Sequence, residues 1–109
     1  MKKRFQKEVD DALEHFNFEK VHKTMQLLDW KWFHPGENGA RVPTLDEIKK
    51  RAKEILQEAA ESAAMSKGEY LVGTGGFRAE AQYYPKETDK KSFLWVRLAF
   101  VLEDWDNCA

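Results

Sequence analysis

Residues 43–84 read PTLDEIKKRAKEILQEAAESAAMSKGEYLVGTGGFRAEAQYY, and this stretch decides the fold because its hydrophobic period changes once. As far as Ser66, apolar residues recur every three or four positions, which predicts a helix. After Gly68 they alternate with polar residues, which predicts strands. We therefore predict an α+β fold, in which two or three N-terminal helices pack on one face of a small C-terminal antiparallel sheet of two or three strands.

The start of the helix carries the clearest local pattern in the chain. Thr44 and Glu47 are spaced as a capping box, in which each side chain accepts a hydrogen bond from the free backbone amide of the other residue. The helix is predicted to begin at Leu45 and to end near residues 66–68. Its apolar stripe consists of Leu45, Ile48, Ala52, Ile55, Leu56, Ala59 and Ala63. On the outer face, Glu47 is spaced to pair with Arg51.

Two further helices are predicted upstream. The first is indicated by Phe5, Val9, Leu13 and Phe16 at helical spacing. Asn17 can cap a second helix, which is predicted to run to about Trp32 because Phe18, Val21, Met25, Leu28 and Trp32 follow at the same spacing. One continuous helix through Asn17 is the alternative, and the break is favoured.

Three alternating runs predict the strands. Tyr70 to Val72 is a short candidate, and the second run places Phe77, Ala79, Ala81 and Tyr83 on one face before it stops at Pro85. Residues 86–92 are predicted to form a polar turn, and the last alternating run extends from Phe93 to Glu103. Large apolar groups on both faces of this last run predict an inner strand, or one whose second face is covered by a partner.

Size and charge exclude several classes of protein. The 109 residues suit one domain spanning 1–109, with residues 1–4 as a frayed end and 106–109 as a tail. The 18 basic and 19 acidic residues give a net charge of −1, so a nucleic-acid binder is not expected. No apolar run reaches the roughly 18 residues that a bilayer requires. A lone cysteine, Cys108, and a start that lacks an apolar leader favour the cytoplasm.

The sequence contains no complete catalytic or metal-binding motif. Neither HExxH nor GxSxG is present, and Cys108 has no second cysteine beside it. His15, Glu19 and His22 would converge on a metal only if one continuous helix carried all three, and the break at Asn17 opposes this geometry. We expect a non-enzymatic protein with no metal and no cofactor.

Aromatic residues are concentrated where DWKWFH (29–34) meets the turn-rich PGENGARVPT (35–44). Such a junction is either a corner of the core or the rim of a binding surface, and the residues leave both readings open. Because aromatic and arginine side chains are enriched in binding hot spots, the predicted protein-binding residues are Trp30, Trp32, Phe33 and Arg41.

The glycine-rich segment GTGGF (73–77) offers a second candidate site. A flexible or bulged connector is the favoured interpretation, since glycine commonly supplies a positive φ or a bulge. The alternative is a module that sequesters a nucleotide or another anionic small molecule, with the ligand-binding residues Thr74, Gly75, Gly76, Phe77, Arg78, Trp95 and Arg97. A third hypothesis is a structural homodimer formed through the aromatic outer face of the last strand.

Four segments, FEKVHKTMQLLDWKW, VPTLDEIKKRAKEIL, GTGGF and VRLAFVLEDWD, together resemble a group of small proteins that phages and prophages encode and whose activity is uncharacterised. The resemblance covers residues from roughly 17 to 106. It implies a phage accessory protein that acts in a bacterial cytoplasm by binding a host or phage protein, as an inhibitor or regulator and, as one case, against host defence. It supplies no catalytic residues.

Overall fold

The computed structural model describes residues 5–84 and 93–101. Within them lie the helices α1 (Gln6–Glu14), α2 (Phe18–Leu27) and α3 (Leu45–Ser66). The strands are β1 (Trp32–Phe33), β2 (Ala40–Arg41), β3 (Glu69–Thr74), β4 (Phe77–Tyr84) and β5 (Phe93–Phe100). The predicted frayed end, the polar turn, the end of the last run and the tail with Cys108 fall outside the described residues. No described helix is both long enough and apolar enough to cross a membrane.

The α+β prediction is confirmed, with helices first and the main sheet after them. That sheet is antiparallel with strand order β3-β4-β5, and β1 pairs with β2 in a separate two-stranded hairpin. The long helix α3 packs across β3, β4 and β5, while α1 contacts α3 and β5. Buried alanines of α3, including Ala52, Ala59 and Ala63, allow the close approach to the sheet.

The predicted break between the first two helices is confirmed. α1 ends at Glu14, and the Asn17 side chain accepts a hydrogen bond from the Lys20 backbone amide at 3.1 Å, which caps α2. Phe18, Val21 and Met25 of α2 are buried, as their spacing predicts.

The predicted end of the second helix near Trp32 is wrong, because α2 stops at Leu27. Asp29 adopts a left-handed φ of 52°, and the Trp30 amide donates to the carbonyl oxygen of Met25 at 2.8 Å. A left-handed residue followed by such a backward hydrogen bond reverses the chain at a helix end. Trp32 therefore lies in a strand of the hairpin instead of on the helix.

Helix α3 begins and ends as predicted. Both bonds of the capping box are present: the Glu47 amide donates to Thr44 Oγ1 at 3.2 Å, and the Thr44 amide donates to Glu47 Oε1 at 2.8 Å. At the other end Lys67 is left-handed, with a φ of 56°. The predicted Glu47–Arg51 pair is replaced, because Glu47 binds Arg41 from the hairpin and Arg51 lies 3.8 Å from Glu54.

The strands follow the predicted alternation, but the last run is not the inner strand that was predicted. Phe77, Ala79 and Ala81 are buried beneath the helices, as are Leu94, Leu98 and Phe100. Consecutive antiparallel hairpins place β4 at the centre, so β5 lies at one end of the described sheet and is not its inner strand.

The segment GTGGF forms the tight turn between β3 and β4. Thr74 pairs with Phe77, and the two residues between them, Gly75 and Gly76, have φ values of 58° and 100°. Two consecutive positive φ angles are typical of the two-residue turns that match the twist of a hairpin. The glycines therefore supply the positive φ angles of a connector between strands, as the favoured interpretation has it, but without a bulge, and the segment does not lead into a helix.

Candidate functional site

The β1–β2 hairpin sends its two aromatic residues to opposite sides. Trp32 is buried, and its Nε1 donates to the carbonyl oxygen of Gly75 at 2.8 Å. Phe33, the next residue of the strand, is 82% exposed. Alternation along a strand produces this division. The hairpin is thus anchored to the β3–β4 turn by one ring and presents the other ring to solvent.

Arg41 holds the same hairpin to α3 through an ion-pair cluster. Its guanidinium donates to both carboxylate oxygens of Glu37 at 2.8 Å and to those of Glu47 at 2.8 and 2.9 Å. His34 completes the cluster, with Nδ1 3.2 Å from Glu47 Oε2 and Nε2 3.2 Å from the Arg41 carbonyl oxygen. Both ring nitrogens of His34 therefore face oxygen atoms of the cluster.

The cluster favours the charged form of every partner of Arg41. Hydrogen bonds from Arg41 and then from the Thr44 backbone hold the pKa of Glu47 well below its usual range. The hydrogen bond from Arg41 also lowers the pKa of Glu37, and the hydrogen bonds to Glu47 and Glu37 raise the pKa of Arg41. These side chains are part exposed, so solvent screens the pairs and weakens their contribution to stability.

A dependence of stability on acid follows from these shifts. A carboxyl whose pKa is lower in the folded state contributes stability that is fully present above its unfolded pKa, about 4.3 for Glu, and is lost as the pH falls through the folded value. We expect the free energy of unfolding to fall below about pH 4.3, because there Glu47 and Glu37 take up protons more readily in the unfolded chain than in the folded one. Urea denaturation between pH 3 and pH 7 measures this.

Glu47→Gln isolates the charge, because glutamine can still complete a capping box. The difference in unfolding free energy between this variant and the parent should be largest at pH 7. It should narrow as the pH falls, since proton uptake by Glu47 stabilises the unfolded parent, whereas the variant has no carboxyl there to titrate. Glu61→Gln, at an exposed position of the same helix, serves as the control. A gap that stayed constant down to pH 3 would contradict the role assigned to Glu47.

His34, Glu37 and Glu47 also have the composition of a metal site, with ligand atoms within 4.8 Å of one another. The guanidinium of Arg41 already lies against both carboxylates and supplies the positive charge that they require. The guanidinium of Arg41 can therefore explain why Glu37 and Glu47 lie close together. The other candidate set is divided, because His15 follows α1 whereas Glu19 and His22 belong to α2.

The four predicted protein-binding residues lie near one another but in different environments. Trp30 packs on Phe100, with ring centroids 5.3 Å apart, and Trp32 packs edge-on to Phe77 at 6.3 Å. Arg41 is bound in the ion-pair cluster. Phe33 is therefore the member of the set whose ring is largely free to meet a partner, and the binding role of the set stays a prediction.

The predicted ligand-binding residues are divided between three places. Thr74 and Gly75 lie beside Trp32, and Gly76 lies under Trp30, while Phe77 is in the core. Arg78, Trp95 and Arg97 lie on the opposite side of the sheet, because their register positions alternate with those of the buried residues. The structure does not bring the set together around one ligand.

The outer sheet face, defined here as the side of β3, β4 and β5 turned away from the helices, carries exposed apolar side chains. Leu71, Tyr84 and Trp95 are 60%, 45% and 40% exposed. Between them Glu80 meets two arginines, with Oε1 3.1 Å from Arg78 Nε and Oε2 3.9 Å from Arg97 Nη1. A hollow of about 310 Å³ lies between Leu71 and Trp95. Trp95 and Arg97 are among the site residues predicted from the sequence. Leu71 is not, because its position opposite Glu80 depends on the strand register.

Arg51 is a second site residue that was not predicted from the sequence. Its guanidinium lies over the Trp32 ring, 5.6 Å from the centroid, and its Nη1 is 3.5 Å from Thr74 Oγ1. These contacts join residues far apart in sequence, so no local spacing could have revealed them.

Comparison of the chain with protein-family models, with curated proteins and with solved structures found no match.

Proposed function

We propose that this protein is a small non-enzymatic binding protein that contacts another protein through its outer sheet face. The observation that carries the proposal is the exposure of Leu71, Tyr84 and Trp95 on one side of a sheet whose other side is packed against helices. The resemblance to phage and prophage proteins supports a host or phage protein as the partner, with inhibition or regulation in a bacterial cytoplasm as the outcome.

The composition of this face suits a protein partner. Aromatic and arginine side chains are enriched in the hot spots of protein interfaces, and the outer sheet face combines Trp95 and Tyr84 with Arg97. Exposed apolar residues that are clustered on one face commonly mark an interaction surface. Glu80, held between Arg78 and Arg97, fixes the polar groups at the middle of the face. The partner surface is expected to be apolar with charges of both signs at its rim.

The outer sheet face lies apart from the protein-binding residues that the sequence indicates. Trp30 and Trp32 use their rings in packing, and Arg41 uses its guanidinium in four hydrogen bonds to two carboxylates. A partner that recruited them would first have to break these contacts. Leu71 and Trp95 are 60% and 40% exposed, so much of each side chain is already open to a partner.

The ion-pair cluster supports binding rather than catalysis. The contact between His34 and Glu47 is the arrangement nearest to an acid–base pair in the described residues. The Glu47 carboxylate is already bound by Arg41, and the second ring nitrogen of His34 lies against the Arg41 carbonyl oxygen. The His34 side chain is only 7% exposed. A general base must reach a substrate proton, and this imidazole is enclosed by its own partners.

Site-specific photo-crosslinking in living bacteria tests the proposed surface. A benzophenone amino acid placed at position 95 or 71 should form a covalent product with the same protein, because both positions lie on the face that the partner covers. Position 65 provides the matched control, since Met65 is 82% exposed but belongs to α3. Irradiation should give no product with that protein from position 65, and mass spectrometry identifies the partner.

Three other results would each overturn part of the proposal. If positions 95 and 71 gave no product, the outer sheet face would be rejected as the binding surface. If position 65 captured the same protein equally, the contact would not be specific to this face. A product composed of two copies of this 12.8 kDa chain would replace the host or phage partner with the structural homodimer.

A further inference from the structure

A separate cleft lies on the helix side of the sheet, where the β1–β2 hairpin meets the β3–β4 turn. We propose that this cleft, the Arg51 cleft, binds a mononucleotide, with the phosphate on Arg51 and Lys31 and the base against Phe33. The cleft has a volume of about 260 Å³ and is lined by Lys31, Trp32, Phe33, Arg51, Thr74 and Gly75. The site shares only Thr74 and Gly75 with the ligand-binding set that the sequence indicates.

Arg51 is held in position before any ligand arrives. Trp32 is fixed by the hydrogen bond from its Nε1 to the Gly75 carbonyl oxygen, and the Arg51 guanidinium lies over the fixed ring at 5.6 Å. The nearby Thr74 hydroxyl, 3.5 Å from Nη1, provides a further polar group at the cleft. A planar guanidinium with several donors matches the geometry of phosphate oxygens, and stacking on an aromatic ring limits its motion.

The acidic neighbours of the two cations are placed where a phosphate can compete with them. Lys31 Nζ lies 3.3 Å from Asp29, and both side chains are more than half exposed. Arg51 Nε lies 3.8 Å from Glu54, a longer separation than that of a strong bidentate pair. Exposed pairs of this kind contribute little, so a doubly charged phosphate monoester can displace them.

Phe33 distinguishes a nucleotide from a simple anion. Phe33 lines the cleft and is 82% exposed, which leaves a large unpacked aromatic surface for a residue in a strand. Nucleic-acid bases stack on such rings without regard to their sequence. The cleft is smaller than the roughly 300 to 1,000 Å³ typical of sites that enclose drug-sized ligands, so it suits the phosphate while the base rests outside on Phe33. The net charge of −1 disfavours a long polyanion.

Titration of the ¹⁵N-labelled full chain with adenosine 5′-monophosphate, inorganic phosphate and adenosine tests the site by NMR. The nucleotide should shift the amide resonances of Phe33, Thr74 and Gly75. Arg51→Gln should raise the Kd for the nucleotide by about 10-fold to 100-fold, the range expected on losing hydrogen bonds between charged groups. Phe33→Ala should raise it by about 5-fold or more through lost stacking, and should leave the Kd for inorganic phosphate unchanged.

Arg97→Gln is the matched control, because it removes the same charge from the outer sheet face and should leave every Kd unchanged. Equal weakening by Arg51→Gln and Arg97→Gln would overturn the site, as would a titration that moved none of the three amides. If Arg51→Gln failed to fold, Phe33→Ala would still decide the matter, since the Phe33 ring is exposed. Because the cleft and the outer sheet face share no lining residue, either proposal can fail without the other.

Discussion

The Phe77→Ala variant is expected to lose about 3 to 5 kcal/mol of unfolding free energy, the range found when a large aromatic side chain is removed from a core. Phe77 is 1% exposed and lies among four other rings, with centroids at 5.4 Å from Phe100, 5.8 Å from Phe16, 6.3 Å from Trp32 and 6.4 Å from Phe18. These rings come from α2, β1, β5 and the link after α1. Alanine would leave a cavity where the helices, the hairpin and the sheet meet.

Urea denaturation followed by far-UV circular dichroism measures this loss. Phe33→Ala provides the control, because it makes the same chemical change at a ring that is 82% exposed and should alter stability by no more than about 0.5 kcal/mol. Similar losses in the two variants would refute the placement of Phe77 at the centre of the core. Since domains of this kind have about 5 to 15 kcal/mol of stability, the Phe77→Ala variant should remain folded enough to measure.

The elements that could be predicted from sequence are those whose cause is local. The capping box of Thr44 and Glu47 specifies the start of α3 within one turn, and the change of period at Gly68 specifies the start of the sheet. Alternation assigned Phe77 to the core side of β4 and Arg78 to the other side. The same parity shows why one ligand could not contact both residues, although the glycine pattern suggested it.

The end of α2 could not be predicted because no local rule marks it. Met25, Leu28 and Trp32 continue the helical spacing, and Asp29 is not a residue that requires a left-handed φ. Long-range packing decides the outcome: Trp32 reaches the Gly75 carbonyl, and Trp30 lies on Phe100. The free energy gained by burying these two rings offsets the loss of a further turn of α2.

Most contacts of the candidate sites could not be predicted from the sequence, because they too depend on long-range packing. Arg51 meets Thr74 across 23 residues, and Trp32 meets Gly75 across 43. Arg41 was identified from its residue type as a binding anchor, but the neighbouring acids Glu37 and Glu47 bind it within the chain. Residue type indicated where side chains with strong interactions occur, whereas only the fold shows which of them are already satisfied.

The Gly76→Ala variant is expected to lose about 2 to 5 kcal/mol of unfolding free energy, through two effects that add. An L-residue at the φ of 100° carries a backbone cost of roughly 1 to 2 kcal/mol. In addition, a Cβ atom at this position would lie 2.7 Å from the Trp30 ring and 2.8 Å from the Phe100 ring, and overpacking of a core costs about 1 to 3 kcal/mol more. Denaturation followed by tryptophan fluorescence reports both the stability and the surroundings of Trp30.

Gly36→Ala separates the two effects, because Gly36 has a φ of 77° but nothing within 4 Å of the position that a Cβ would occupy. This control should show the backbone cost alone, so the difference between the variants measures the collision with the two rings. Equal losses would mean that Trp30 and Phe100 move aside freely, and the close packing of the turn beneath Trp30 would then be rejected. A larger loss at Gly76, reduced when Trp30 is also replaced by the smaller Phe, would show that the β3–β4 turn contains glycine because the aromatic core reaches its backbone.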